Sequence, residues 1–188
     1  SRLMYLDRVR LMFDKSLAFD SARRSEFVNS MNGYEGLYTD EETKQIEVGL
    51  GWLKDFDKLP EIEKINTLSP LATSKIGRKP KEYIARGWSS IEVRGSLEEV
   101  LAFMWHFDSR VRAKPNDLEK TVVKENSLHN LIAYTCKAAI HVGLIKLLPR
   151  EALNCCIWKR VTENSIVFVS TPTMHELKPI TPDRVRGT

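Results

Sequence analysis

The sequence has little cysteine and no long hydrophobic run. Its 188 residues include three cysteines, an odd number that is too small for a disulfide framework. Cys155 and Cys156 are neighbours, and neighbouring side chains of a strand point to opposite faces, so we do not expect them to pair with each other. Reduced thiols are typical of proteins inside cells, which favours a cytoplasmic protein. No apolar run approaches the roughly 18 residues that span a bilayer, and no signal peptide is visible.

Motifs of the common catalytic, metal and nucleotide sites are absent from the sequence. It contains no CxxC pair, no HxH or HExxH spacing, no GxSxG, no P-loop and no GxGxxG. A zinc site or a cysteine–histidine nucleophile would have to combine distant residues such as Cys155 and His129, and nothing local supports either. The paired carboxylates at 41–42 and 98–99 are explained by their places at helix starts. We therefore expect no catalytic residue, no metal site and no cofactor.

The net charge is only mildly positive, at +4 from 29 basic and 25 acidic residues. A nucleic-acid partner is not expected, because it would require a strong basic stripe with interleaved aromatic residues. The charge is uneven, however, since residues 75–86 hold five basic residues against Glu82. A solvated linker explains such a run, and peripheral contact with an anionic membrane or partner surface is the alternative. The basic residues concerned are Lys75, Arg78, Lys79, Lys81 and Arg86.

Residues 1–59 are predicted to form a helical segment. Apolar residues recur at helical spacing through 1–31, and the glycines near residue 33 end that pattern. Thr39 and Glu42 form a capping box that predicts a second helix to about Phe56. Residues 60–86 hold three prolines and the basic run, so they are interpreted as a linker with one short helix around 61–67.

From residue 87 the pattern predicts strands and one more helix. Residues 89–94 alternate with period two, as a half-buried strand does, and Ser96 with Glu99 forms a capping box before a helix to about Phe107. Four further strands are predicted at about 118–125, 127–138, 151–161 and 164–172. The turns between paired strands are placed at 125–126 and 162–164, and 144–148 is read as a compact apolar loop. The expected fold class is α+β, with an antiparallel sheet.

Alternation along the strands predicts which side chains share a face. On 153–161, Leu153, Cys155 and Ile157 share one face, while Asn154, Cys156 and Trp158 share the other. The strand at 164–172 is apolar on both faces, so both should be covered. The strand at 127–136 mixes apolar and polar side chains, which fits the wall of a ligand cavity and also fits an ordinary, partly exposed strand.

Arg150 follows Pro149 at the start of a predicted strand. It is either a surface cation or a partly buried guanidinium that makes a bidentate contact with a carboxylate.

The order of segments in 87–188 resembles the START (StAR-related lipid transfer) domain, a helix-grip fold. The resemblance is carried by SSIEVR (89–94), SLEEVL (96–101), LPRE (148–151), IWKR (157–160), TMH (173–175) and RVR (184–186). Two features depart from the family: Ala152 replaces the usual aromatic residue, and the family's long C-terminal helix would follow Arg186. Because the sequence starts at Ser1 and ends at Thr188, we expect a fragment whose START-like domain is incomplete at its C-terminus.

The resemblance implies noncovalent binding, with transfer or sensing, of a lipid, sterol or other hydrophobic ligand in a sheet-walled cavity. The residues expected to line the cavity or to hold a polar group of the ligand are Met104, His129, Leu131, Ala133, Arg150, Cys155, Ile157, Val167 and Val169. A slip of one residue along a strand would exchange its inward and outward sets. Two alternatives stay open, namely an interaction or regulatory module without a ligand and an enzyme on the same scaffold.

Overall fold

The structure, a computed structural model, describes residues 19–67, 70–79, 81, 85–142 and 145–187. Residues 1–18 of the predicted first helix lie outside the described residues. The described part of the chain contains helices α1 (described over 19–31), α2 (Asp40–Phe56) and α3 (Leu97–Trp105). Its strands are β1 (Glu61–Ile65), β2 (Ala72–Arg78), β3 (Arg86–Ile91), β4 (Asp117–Ser127), β5 (Asn130–Lys137), β6 (Ile140–Val142), β7 (Ile145–Leu147), β8 (Arg150–Thr162), β9 (Ser165–Pro172) and β10 (Val185–Arg186).

The chain divides into two compact units, one formed by Thr39–Gly95 and the other by the residues on both sides of it. These boundaries differ from those expected at 59 and 86. We call Thr39–Gly95 the inserted unit and the remainder the main unit.

The inserted unit combines helix α2 with a three-stranded antiparallel sheet of order β1-β2-β3. The capping box is confirmed, since the Glu42 amide donates to the Thr39 hydroxyl at 3.2 Å and the Thr39 amide donates to the Glu42 carboxylate at 2.8 Å. The short helix expected near 61–67 is wrong, because these residues form β1 and pair with β2 along its whole length. The spacing of apolar residues in this segment does not distinguish a helix from a strand, so pairing with a neighbouring strand decides its conformation. The strand predicted at 89–94 is present three residues earlier, as β3.

The main unit is built on a five-stranded sheet in the order β10-β8-β5-β4, with β9 also paired to β8. The pairs β4–β5, β5–β8 and β8–β9 are antiparallel, and β10 runs parallel to the start of β8. The predicted α+β class and the four predicted strands are confirmed. The first turn lies at 128–129 rather than 125–126. Strands β6 and β7 form a small hairpin where an apolar loop was expected.

Helix α3 begins at its predicted capping box and ends at Trp105. Its buried residues are Leu101, Ala102 and Trp105. An ion pair between Glu98 and Arg160 joins the first turn of α3 to β8.

Two clusters of buried residues lie on opposite faces of the main sheet. On the helix-covered face, Leu131, Ala133, Cys156 and Trp158 pack with residues of α1 and α3. The ring of Phe27 on α1 stacks on Trp105 at 5.6 Å between centroids and meets the edge of Trp158 at 6.2 Å. The opposite face holds Ile132, Tyr134, Cys136 and Leu153.

Among the described residues, no helix is long and apolar enough to cross a membrane.

Candidate functional site

A cavity of about 260 Å³ lies on the helix-covered face of the main sheet. The sheet side of the cavity is formed by alternate residues of three adjacent strands, namely Leu131, Ala133 and Thr135 of β5, Asn154 and Cys156 of β8, and Phe168 and Ser170 of β9. The strand register explains this set, because Leu131 lies opposite Cys156 and Cys156 lies opposite Ser170. Side chains that are paired across an antiparallel sheet point to the same face.

The other side of the cavity is formed by the end of α3 and the segment that follows it. Met104 and Trp105 come from the last turn of α3, Phe107 follows the helix, and Arg112 comes from the short 3₁₀ helix Arg110–Arg112. The walls are mainly apolar, with a few polar groups from Arg112, Thr135, Asn154 and Ser170. This composition is typical of small-molecule sites, which range from about 300 to 1,000 Å³. The cavity volume of about 260 Å³ lies just below this range.

Burial governs the electrostatics of the two ionisable groups in the wall. The guanidinium of Arg112 donates from Nη1 to the carbonyls of Phe103 and Met104, at 3.1 and 2.6 Å. Desolvation lowers the pKa of Arg112. Desolvation also raises the pKa of the Cys156 thiol, which lies 3.5 Å from the Ser170 hydroxyl. The thiol is therefore held neutral, whereas an arginine stays charged at any physiological pH.

Comparison with known proteins gives a match of fold. No protein-family model matches the sequence, and no curated protein matches it significantly. Human StAR-related lipid transfer protein 5 matches with a TM-score of 0.57 at 17% identity, over 79% of this chain and 71% of that one. The lipid transfer and protein localization domain of human StarD13 matches with a TM-score of 0.55 at 14% identity, over 80% of this chain and 73% of that one. The fold is START-like.

The START-like cavity contains three of the residues predicted for it, Met104, Leu131 and Ala133. Cys155 and Ile157 on β8 do not line it, and neither do Val167 and Val169 on β9. Cys155 lies opposite Ile132 of the other buried cluster, and Ile157 lies opposite Val169, so all four belong to the other face. The alternation was predicted correctly, and the residues named on β8 and β9 lie on the face opposite this cavity. Both faces of these strands carry apolar residues, so the sequence gives no signal for which face a helix covers.

His129 lies in the turn between β4 and β5 and does not line the START-like cavity. Its side chain is buried, its Nδ1 lies 2.6 Å from the Tyr34 hydroxyl, and its ring lies 4.2 Å from that of Tyr38. Gly36 lies against the same cluster, since a Cβ at this position would be 2.8 Å from the Tyr34 ring and 2.9 Å from His129. The histidine therefore fixes the segment after α1 to the sheet.

Arg150 is exposed at the start of β8, which agrees with its interpretation as a surface cation. It does not line the cavity. The buried guanidinium–carboxylate contact that we considered for it is made instead by Arg186 and Glu151. Arg186 donates to the Glu151 carboxylate from Nη2 at 2.8 Å and from Nε at 2.9 Å, and both side chains are almost fully buried. Arg186 also donates to the carbonyls of Lys178 and Pro179, which fixes the segment that leads to β10.

Two further hydrogen-bond donors contact Glu151, and the Arg184 guanidinium lies 3.8 Å from its carboxylate. The Tyr134 hydroxyl donates to it at 2.8 Å, and the Thr181 amide donates at 3.3 Å. Desolvation raises the pKa of Glu151, but the hydrogen bonds from Tyr134 and Thr181 and the charge of Arg186 outweigh it, so the pKa lies below its usual range. Burial and the adjacent carboxylate raise the pKa of Tyr134 to about 12. This cluster lies on the face opposite the cavity, so its role is structural.

The sequence interpretation named none of the four polar residues that line the cavity. Choosing the correct face of each strand would have identified Thr135, Asn154 and Ser170. The alternation had already placed Asn154, Cys156 and Trp158 on one face. Arg112 gave no signal, because its place depends on the irregular segment after α3.

The basic residues of 75–86 do not share one surface of the inserted unit. Lys75 lies 3.8 Å from Asp57 and over the ring of Trp88, and Arg86 lies over the ring of Trp52. Alternation along β2 places Arg78 on the face opposite Lys75. Part of the basic charge is therefore used within the inserted unit.

Proposed function

We propose that the chain binds one lipid, sterol or other hydrophobic small molecule noncovalently in the START-like cavity, as a carrier or sensor. The observation that carries the proposal is the cavity wall, in which apolar side chains of three strands and a helix surround a few polar groups. The names of the structural neighbours, which refer to lipid transfer, support the same class of ligand. Burial of about 200 Å² of apolar ligand surface would contribute about 5 kcal/mol before the costs of association.

The chemistry of the cavity wall favours binding over catalysis. The described residues that line it include neither a carboxylate nor a histidine, so a general base is not available there. Cys156 is the one thiol among them, and its raised pKa makes it a poor nucleophile. The polar groups that remain are suited to orienting a ligand.

A pair of phenylalanine substitutions tests the proposal. Ala133→Phe fills the cavity from its wall, whereas Val169→Phe adds a similar bulk on the opposite face of the sheet. The protein should be incubated with a mixed lipid and sterol panel, and bound species should be measured by native mass spectrometry. We expect a bound ligand in the wild type and in Val169→Phe, and at least a tenfold loss in Ala133→Phe. A bound ligand that survives Ala133→Phe would place the site elsewhere. A partner protein that binds equally to the wild type and to both variants would favour the alternative of an interaction module without a ligand.

A second, separate proposal concerns peripheral contact with an anionic membrane through Lys75, Arg78, Lys79, Lys81 and Arg86. Trp52, an exposed aromatic residue beside Arg86, supports it, because an aromatic ring next to basic residues suits the membrane interface. Flotation with phosphatidylserine vesicles tests it. We expect binding that weakens in Arg78→Glu and with added salt. Equal recovery with neutral vesicles would refute it.

A further inference from the structure

Arg112 is held in the cavity wall by only one of its terminal nitrogens. Both hydrogen bonds of its side chain leave Nη1 for carbonyls in the last turn of α3. The guanidinium also lies over the Phe103 ring, 5.1 Å from its centroid. These contacts satisfy two carbonyls that a helix end leaves open, and they fix the plane of the guanidinium.

Within the described part of the chain, the opposite edge of the guanidinium has no hydrogen-bond partner. Arginine has five N–H donors, of which Nη1 carries two. Among the described residues, no acceptor is bonded to Nε or Nη2 of Arg112, and no carboxylate lies within ion-pair distance of it. The Nε–Nη2 edge presents two parallel N–H groups, which is the geometry that binds the two oxygens of a carboxylate.

The charges around this edge favour an anion. The Arg112 side chain is partly buried, so its charge is partly desolvated and its pKa is lowered, and an anionic partner would offset that cost. Lys120 lies close by, donating from Nζ to the Arg112 carbonyl at 2.9 Å, and its nearest carboxylate, on Asp117, is 3.9 Å away. The Cys156 thiol is neutral, so the cavity wall itself supplies no negative charge.

We propose that the cavity selects an amphipathic carboxylic acid with a single hydrocarbon body, and that Arg112 pairs with its carboxylate through the Nε–Nη2 edge. The inference rests on the proposed function, since it specifies the ligand of the same cavity. The apolar residues on the sheet side take the hydrocarbon body, and the volume of about 260 Å³ fits one chain segment.

Dodecanoic acid and its methyl ester are suitable probes, because they share one hydrocarbon chain and differ in charge. Their dissociation constants should be measured at pH 7.5 by isothermal titration calorimetry below their aggregation concentrations. A hydrogen-bonded ion pair of this kind corresponds to a preference of about 10- to 100-fold for the acid in the wild type. Arg112→Gln should reduce this preference to within about twofold. The neighbouring Arg110→Gln, which alters an exposed residue of the same 3₁₀ helix, should keep the preference.

Each outcome has a distinct meaning. Equal binding of acid and ester by the wild type overturns the inference and leaves the proposed function standing. Binding of neither probe, nor of any member of the lipid and sterol panel, contradicts the proposed function and the inference with it. Ester binding reports that a variant is folded. If Arg112→Gln loses it, Arg112→Lys serves instead, and we expect its preference for the acid over the ester to be several-fold smaller than that of the wild type. An undiminished acid preference in a variant that still binds the ester would also overturn the inference.

Discussion

The ion pair between Glu151 and Arg186 should be a large single contribution to the stability of the main unit. Both side chains are almost fully buried, and Glu151 accepts hydrogen bonds from Arg186, Tyr134 and Thr181. Removal of one partner of a buried ion pair leaves an uncompensated charge and costs about 3–5 kcal/mol. We therefore expect Glu151→Ala and Arg186→Ala each to lower the free energy of unfolding by about 3 kcal/mol or more.

Urea unfolding followed by tryptophan fluorescence measures this loss. With a urea dependence of about 2 kcal/mol per molar, a loss of about 3 kcal/mol moves the midpoint down by about 1.5 M. The double variant should lose less than the sum of the single losses, with a coupling energy of about 1–3 kcal/mol. This follows because the second substitution removes a charge that the first has already left unpaired.

Arg150→Ala provides the matched control. Arg150 is the residue before Glu151, it is exposed, and its loss should cost less than about 0.5 kcal/mol. The reasoning fails if Arg150→Ala is as costly as Arg186→Ala, or if the two single losses at 151 and 186 are simply additive.

Three further predictions concern stability. The pKa of Glu151 is lowered in the folded state, so its ionised carboxylate stabilises the fold fully above the unfolded pKa of about 4.3. This stabilisation is lost as pH falls through the folded pKa. The acid limb of a plot of unfolding free energy against pH should therefore be shallower in Glu151→Gln. The pKa of Tyr134 is raised to about 12 in the folded state, so its contribution to stability is lost as pH rises from about 10 through 12. Tyr134→Phe should therefore flatten the alkaline limb of the same plot. Gly36→Ala should lower the free energy of unfolding in urea by about 1–3 kcal/mol, because its Cβ would lie less than 3.0 Å from the rings of Tyr34 and His129. Gly51→Ala, which has open space around its Cβ, should not destabilise the protein. Equal effects of the two substitutions would contradict the packing argument.

Local signals predicted the parts of the fold that depend on local interactions. The capping boxes at Thr39 and Ser96 satisfy the first amides of α2 and α3, and they fix where these helices begin. The alternation on β8 was also correct, because it reflects the geometry of any strand. Strand β1 was missed, since its structure depends on pairing with β2, a partner that its own residues do not specify.

The cavity was predicted only in part because its residues depend on tertiary packing. Leu131 and Ala133 were identified on β5, yet the residues named on β8 and β9 lie on the face opposite the cavity. Both faces of those strands are apolar, and the position of α1 and α3 over Cys156 and Trp158 decides between them. Arg112 depends on the path of the chain after α3, which has no periodic pattern.

Binding of a hydrophobic ligand in the cavity is the central claim, and the Ala133→Phe and Val169→Phe pair tests it most directly. Native mass spectrometry with the lipid and sterol panel should show one bound ligand in the wild type and in Val169→Phe, and a loss of at least tenfold in Ala133→Phe. Absence of any bound ligand in the wild type, or equal occupancy in both variants, would contradict the account.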